Sequence, residues 1–489
     1  MRVCCCSPNC AKWTTLTLSL VFLVLGILLA VLWDKLFQKI MNHELSVSSR
    51  NTKGYKMWKE TPIAMYLEIY MFNWTNARFS DKYPGIKPIF VEMGPYVFYE
   101  HHIKENVTFN DNHTLTYFNK RTWMFEPDMS RGSLDDLVTT LNPIAAVVAN
   151  IVKDEHYLVK KAINMFFEEK GELIYVRKPV RELLFEGYDD PLVDMMSKLN
   201  MSSIKIPFKK FGWFSERNNS VTYEGVYNMY DGGDDLEKLG LITEWNYEHV
   251  TSYYSGKCAI VNGSSGELWY PPHNDDKVPI FSSDMCSNVI LRRNGSGIHE
   301  GIEGNNYIGM VDAFDNGTHF ESTKCFASGM PTGVRSVSAC KFNAPAYMSF
   351  PHFYLADPIY RHDVDGMNPK PKKHTATLML EPTTGLPLVV SVGFQLNLLM
   401  SKVDGIDMFS QIKTTLMPCL WFKQKAELSS DLASAVKLML IGSKLGTYTG
   451  FGLIGLGVLF VLIFGVLIYK AGWRSSEEEF LIPGIDNNS

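Results

Sequence analysis

Two stretches without a single charged residue decide what this chain can fold into. Residues 13–33 read WTTLTLSLVFLVLGILLAVLW, between Lys12 and Asp34, and residues 445–469 read LGTYTGFGLIGLGVLFVLIFGVLIY, between Lys444 and Lys470. About 20 apolar residues in a helix cross the hydrocarbon core of a bilayer, so each run is long enough to span one. The first exceeds the roughly 7 to 15 apolar residues of a secretory signal, and no small-residue cleavage site follows it, so it reads as an uncleaved anchor. Arg2 and Lys12 precede the first run while Lys470 and Arg474 follow the second, and the positive-inside rule then puts both ends in the cytosol. The expected organisation is a cytosolic tail at 1–12, spans at 13–33 and 445–469, an ectodomain at 34–444 and a second cytosolic tail at 470–489.

Two independent patterns fit that division. Acceptor sequons stand at Asn73, Asn106, Asn112, Asn200, Asn218, Asn262, Asn294 and Asn316, all between the spans, where N-glycosylation occurs. One more, at Asn487, falls in the expected cytosolic tail and should stay bare. The nine cysteines divide the same way. Cys4, Cys5, Cys6 and Cys10 lie in reducing cytosol beside the bilayer, where disulfides do not persist and S-palmitoylation is the expected fate. Cys258, Cys286, Cys325, Cys340 and Cys419 lie in the oxidising compartment and allow two bonds with one cysteine left over, in any of fifteen arrangements. Cys419, far from its nearest neighbour, is the expected odd thiol. A net charge of −5 with pI near 6.2 gives no basis for a nucleic-acid partner.

The ectodomain carries no repeat and no low-complexity linker, and it reads as one unit of antiparallel β structure. In VSVGFQLNLLM, Val390, Val392, Phe394, Leu396, Leu398 and Met400 alternate with Ser391, Gly393, Gln395 and Asn397, the period of a half-buried strand. TLMLEPTTGLPLV reads as a hairpin, and IKPIFVEMGPYVFYE, NSVTYEGVYNMYDGGDD and AFDNGTHFESTKC as further strands with turns. One region, about 141–200, breaks this rhythm. There Val148, Ile151, Val152, Leu158, Val159, Ala162, Ile163 and Phe166 recur at helical spacing, with Lys153, His156, Lys160 and Asn164 as a polar stripe opposite. RELLFEGYDDPLVDMMSKL continues it as a second helical stretch.

Catalytic signatures are missing from the sequence. NGSSGE lacks the G-x-S-x-G spacing of a nucleophile elbow, and His299-Glu300 has no second histidine four residues after the first. YDGGDD lacks the spacing of a calcium loop and reads as a turn. His101 and His102 read as surface residues. No metal and no cofactor is expected. Neither span carries an ionisable residue to line a pore. Gly446 and Gly450 have the G-x-x-x-G spacing that permits close helix contact, within the chain or between copies.

Several words stand in an order that resembles the class B scavenger receptor family, whose members include the fatty-acid translocase, the lysosomal integral membrane protein and the croquemort receptor. They are FNWTN (72–76), GPYVF (94–98), FEPDMS (125–130), RELLFEGYDDP (181–191), FSSDMC (281–286), YMSFPHFYLAD (347–357) and DGMNPKPKKHTATLMLEPTTG (365–385). The resemblance implies a barrel-like antiparallel β ectodomain with an internal tunnel, a helical apex that meets ligands, and disulfides Cys258–Cys325 and Cys286–Cys340. It makes Lys153, His156, Lys160, Lys161 and Lys170 the ligand-contact residues of the apex. A histidine at the place of His156 is linked, in the lysosomal member, to acid-sensitive partner release. Two departures stand out. A further disulfide of many members is missing within CFASGMPTGVRSVSAC, which has Ala327 where one partner would sit, so that loop should be looser. Glu168 and Glu169 beside Lys170 argue against assuming fatty-acid specificity.

The tail word EEEFLI places Glu477, Leu481 and Ile482 in the acidic dileucine pattern read by endocytic adaptors. The expected function is a plasma-membrane receptor, cycling to endosomes or lysosomes, that binds lipoproteins, fatty acids, carotenoids or apoptotic cells and moves lipid through the tunnel. The alternatives are a sorting receptor for a lumenal protein and a two-span ectoenzyme.

Overall fold

The computed structural model describes residues 8–80, 82–198 and 209–480. The chain divides into two compact units, a helical pair formed by the terminal segments and an ectodomain over residues 44–429.

In the helical pair, the helices Pro8–Leu45 and Ser430–Phe480 both run past the apolar stretches at 13–33 and 445–469. The reason is side-chain packing that continues beyond them: Trp33 Nε1 donates to Gly442 O at 3.0 Å, and a Cβ on Gly442 would lie 2.8 Å from the Phe37 ring. Deeper in, a Cβ on Gly450 would meet Ala30 N at 2.7 Å and Gly26 O at 2.9 Å. The small-residue spacing is therefore used between the two spans of one chain, whose backbones touch where only hydrogen fits. Gly450→Leu is expected to force the helices apart, at about 1–3 kcal/mol of overpacking. A short bifunctional cross-linker between cysteines placed at Phe22 and Phe460, whose rings stack at 5.7 Å, should then lose its intramolecular product.

The strands of the ectodomain are β1 (Met65–Trp74), β2 (Phe90–Asn110), β3 (Thr114–Phe125), β4 (Leu137–Leu141), β5 (Tyr175–Pro179), β6 (Val226–Tyr230), β7 (Ile242–Trp245), β8 (Lys277–Ser282), β9 (Ser287–His299), β10 (Ile302–Gly309), β11 (Val334–Ser336), β12 (Ala346–Ser349), β13 (Thr377–Leu380), β14 (Pro387–Met400) and β15 (Thr415–Glu427). Among the described residues, β4 and β5 pair apart and the rest form one antiparallel sheet in the order β7-β6-β3-β2-β1-β15-β14-β13-β10-β9-β8, with β12 also on β14. Its two ends nearly meet. Ser264 bridges Leu241 beside β7 on one side and Ile280 of β8 on the other, which closes the sheet into a barrel and leaves no long open edge.

The alternation on β14 has an unexpected consequence. The polar row is the more deeply buried: Gln395 and Asn397 are 0% exposed, while Phe394 and Leu396 are only half-buried. The neighbouring strand β12 and the turn at His352 satisfy the polar row, with Gln395 Oε1 accepting from His352 N at 2.6 Å and Asn397 Nδ2 donating to Tyr347 O and Ser349 Oγ. Leu396 and Leu398 instead face a space inside the barrel.

Three expectations need correction. The stretch AFDNGTHFESTKC forms short helical turns at Val311–Phe314 and Glu321–Phe326, not strands. Asp315 collects the loop by accepting from the backbone N–H of Gly317, His319 and Phe320 and from the hydroxyls of Thr323 and Thr332. That last bond and Asn316 Nδ2 to Met330 O at 2.7 Å also tie down the segment expected to be loose. Second, the helix expected to carry Lys153 through Asn164 is broken. Pro143–Val152 ends before Lys153, and Tyr157–Lys170 begins after His156, whose Nδ1 accepts from Leu158 N at 3.3 Å as the N-cap. The polar stripe splits accordingly: Asn164 is buried against Asp407, and Leu158 is 69% exposed. Third, His102 is buried inside the barrel, only 2% exposed.

Candidate functional site

The space faced by Leu396 and Leu398 is a cavity of about 620 Å³, within the roughly 300–1,000 Å³ of ordinary ligand sites. Three parts of the chain wall it. The helix at Pro143–Val152 contributes Ile144 and Val148, the strands contribute Leu396, Leu420 and Phe422, and the segment after the undescribed residues contributes Trp213 and Phe214. The helix forms because Asn142 caps it, accepting from Ile144 N and Ala145 N, and Pro143 occupies its first turn. Its apolar face then turns onto β14.

One side of the wall is charged. Arg217 donates to both oxygens of Asp284 at 3.0 and 3.2 Å and to Glu224 at 3.3 Å, and Lys341 lies 3.7 Å from Asp284. Burial disfavours the Asp284 anion, but Arg217 and Lys341 outweigh it and hold the carboxyl down at about 2. The guanidinium also sits over the rings of Phe214 and Tyr223, at 5.4 and 5.2 Å.

From there the charges continue inward as a band. Alternate residues of β2 put Glu100, His102 and Lys104 on one face, opposite Trp123, Arg121 and Asn119 of β3. Arg121 reaches Glu224 at 2.9 Å, Glu100 at 3.4 Å and Glu267 at 3.7 Å, and Lys104 pairs with Glu267. Burial raises the Glu100 pKa against the opposing pull of Arg121. It lowers that of Lys104 against the pull of Glu267. His102 is driven well below its usual range by burial, and then by Lys104 and Arg121, so it stays neutral. Along both strands this band separates two apolar cores: Phe98 and Trp123 belong to one, Leu115 and Tyr117 to the other. Nothing in the hydrophobic pattern marked these strands as carrying charge inward. The alternation Glu-x-His-x-Lys in 100–104 was the available signal.

A second convergence joins Glu92, His352 and His374, with one ligand atom of each within 4.8 Å of the others. Its chemistry does not suit a metal. Nδ1 of His352 accepts from Asn368 N and Nδ1 of His374 from Lys370 N, so each ring carries its N–H on Nε2, the atom a metal would need. Metal-bound histidines donate from the other nitrogen instead. Glu92 is also engaged already, by His352 Nε2 at 2.6 Å, Lys373 Nζ at 2.7 Å and Trp421 Nε1 at 2.8 Å.

The remaining sequence candidates are placed as follows. The disulfides of the ectodomain are Cys258–Cys325 and Cys286–Cys340, and Cys419 is a buried free thiol, pushed up to about 12 by burial. Of the sequon asparagines, Asn106, Asn112, Asn218, Asn262 and Asn294 are exposed, Asn73 and Asn316 are half-buried, and Asn200 lies outside the described residues. Lys153, His156 and Lys170 are exposed, while Lys160 Nζ donates to Lys153 O and Lys161 sits 3.9 Å from Asp407. These five do not converge on one point. Cys4, Cys5, Cys6, Leu481 and Ile482 lie outside the described residues, and Cys10 and Glu477 are in helical backbone.

The family model described as CD36 family matches residues 17–468. The chain belongs to the CD36 family. Among its CD36-family relatives, Protein peste of Drosophila melanogaster is 33% identical over 439 residues, covering 88% of this chain and 78% of that protein. Scavenger receptor class B member 1 of Bos taurus is 31% identical over 468 residues, 95% of this chain and 90% of the relative. Lysosome membrane protein 2 of Homo sapiens is 30% identical over 480 residues, 96% and 97%. The family's antiparallel barrel and its two long apolar terminal helices are both present here.

Proposed function

We propose that this CD36-family chain is a two-span receptor that takes the apolar part of a lipid into its ectodomain cavity and passes it to the membrane. Membership of the family supports a lipid- or ligand-binding receptor in general. The observation that carries the finer reading is the cavity itself: a wall of leucine and phenylalanine side chains, among them the half-buried Leu396 and Phe422, around about 620 Å³, where each buried CH2 of a ligand gains about 0.8 kcal/mol. The charges on its wall refine the ligand. Both cations, Arg217 and Lys341, already face Asp284, so a free carboxylate finds no unmatched positive charge and a neutral or zwitterionic lipid fits better.

The same reading keeps both tails in the cytosol, the sequon asparagines glycosylated outside or in the lumen, the tail cysteines acylated, and Glu477, Leu481 and Ile482 available to endocytic adaptors. Recognition of lipoproteins or lipid-exposing cells falls to the helical segment around Lys153–Lys170. A second reading, a sorting receptor for a lumenal protein, is favoured by Tyr157, Leu158 and Met165, which are 56%, 69% and 68% exposed on that segment.

Mass spectrometry of lipid released from gently purified full-length protein tests both. Lipid should copurify, and Leu396→Trp, which puts a larger side chain into the space, should lower its amount about tenfold, the equivalent of ~1.4 kcal/mol. A lipid-free protein that retains a lumenal protein instead would favour the second reading and remove the first.

A further inference from the structure

Two turns at the cavity are built against their own backbone preference. In one, Ala344 N donates to Lys341 O at 2.9 Å, and the residues between, Phe342 and Asn343, have φ of 55° and 59°. In the other, Trp245 and Glu248 exchange backbone hydrogen bonds at 3.0 and 3.1 Å around Asn246 and Tyr247, at 54° and 66°. Two successive positive φ values mark a type I′ turn, which favours Asn and Gly because a bulky side chain is strained there. Here each turn gives one of its two central positions to an aromatic residue. Neither ring is put away: Phe342 is 53% exposed and Tyr247 69%.

Both turns belong to the cavity wall, through Lys341 and Phe342 in one and Asn246 in the other. A third wall aromatic, Tyr223, is 43% exposed. The Phe342 turn is also braced from two sides, by the Cys286–Cys340 disulfide and by Asn150 Nδ2 donating to Asn343 O at 3.3 Å. An outward ring on a strained, braced turn adds nothing to stability, and strain kept in such a place points to function.

We infer that Phe342 is the portal residue of the cavity, the side chain against which the hydrocarbon of a lipid slides as it leaves a membrane or particle surface and enters the barrel. Tyr247 extends the same apolar rim. The inference rests on the cavity being a lipid site. A side chain at the rim acts during passage, so truncating it changes the rates of loading and release together.

The test uses full-length protein and phosphatidylcholine vesicles carrying a trace of a neutral lipid with a pyrene-labelled acyl chain. Phe342→Gly should slow loading and release together by about fivefold or more, as gating residues do. Its Tm should be at or above that of the parent, since glycine takes the positive φ without strain. Phe342→Tyr should retain the parent rates. Unchanged rates in Phe342→Gly, slowed loading without slowed release, or a lower Tm would each overturn the portal role. A parent protein that never takes up the probe would remove the lipid-site reading itself, a result distinct from a parent that loads and a glycine variant that loads equally fast.

Discussion

Replacing Glu92 by Ala is expected to destabilise the ectodomain by about 2–4 kcal/mol, because it strands a lysine, a histidine and an indole N–H that now share one carboxylate. A urea titration of the ectodomain checks it, and a midpoint unchanged from the parent would show that water replaces the carboxylate at no cost. Burial opposes ionisation of Glu92, but the hydrogen bonds from His352, Lys373 and Trp421 outweigh it and hold the carboxyl at about 2. Its contribution is complete above the ordinary value near 4.5 and is lost only as pH falls through about 2. His374 behaves differently. Burial, then the neighbouring His352 and Lys373, push it down to about 3. The unfolded chain, titrating near 6.5, binds that proton first, so this part of the stability is complete above about 6.5 and drains away as pH falls towards 3. His374→Asn should therefore flatten the fall in stability between pH 6.5 and 5, and Glu92→Ala should leave that slope in place.

This cluster also shows what could be read from the sequence and what could not. The words YMSFPHFYLAD and DGMNPKPKKHTATLMLEPTTG were legible as signs of kinship. Their meaning was not, because His352, Lys373 and His374 acquire a role only when β2 and β15 bring Glu92 and Trp421 between them. The antiparallel class followed from period-two patterning, which is local. The orientation of β14 did not, since a strand that turns its apolar row to the cavity and its polar row to β12 and the His352 turn buries the polar row more deeply. An interior space is expected through the resemblance alone: its walls come from residues more than 270 positions apart, and no local pattern reports a void. The break at Lys153–His156 was missed because the apolar spacing continues across it, while the cap that restarts the helix is a histidine, an uncommon choice beside Ser, Thr, Asp and Asn.

Removing the Cys286–Cys340 bridge with paired alanine substitutions should cost about 4 kcal/mol, since the bond closes a long loop and its loss frees the unfolded chain. The partners are 54 residues apart. Both cysteines stand on the cavity wall, so the variant should also hold lipid less tightly, where a bond that served stability alone would leave bound lipid unchanged. Thermal unfolding under non-reducing conditions, run beside lipid quantification on the same preparation, separates the two effects.

On the proposed lipid role, the closure of the sheet at Ser264 bears on how the cargo would leave. Elsewhere around the barrel neighbouring strands are laced by runs of paired residues, but between Leu241 and Ile280 the link is two residues wide: Gly263 O accepts from Ile242 N, and Ser264 donates to Pro279 O and accepts from Phe281 N. A hoop with one thin stave parts there first, since the free energy of local opening follows the number of backbone contacts given up. Opening that seam would also move Glu267, three residues beyond Ser264, and with it the ion pairs to Lys104 and Arg121.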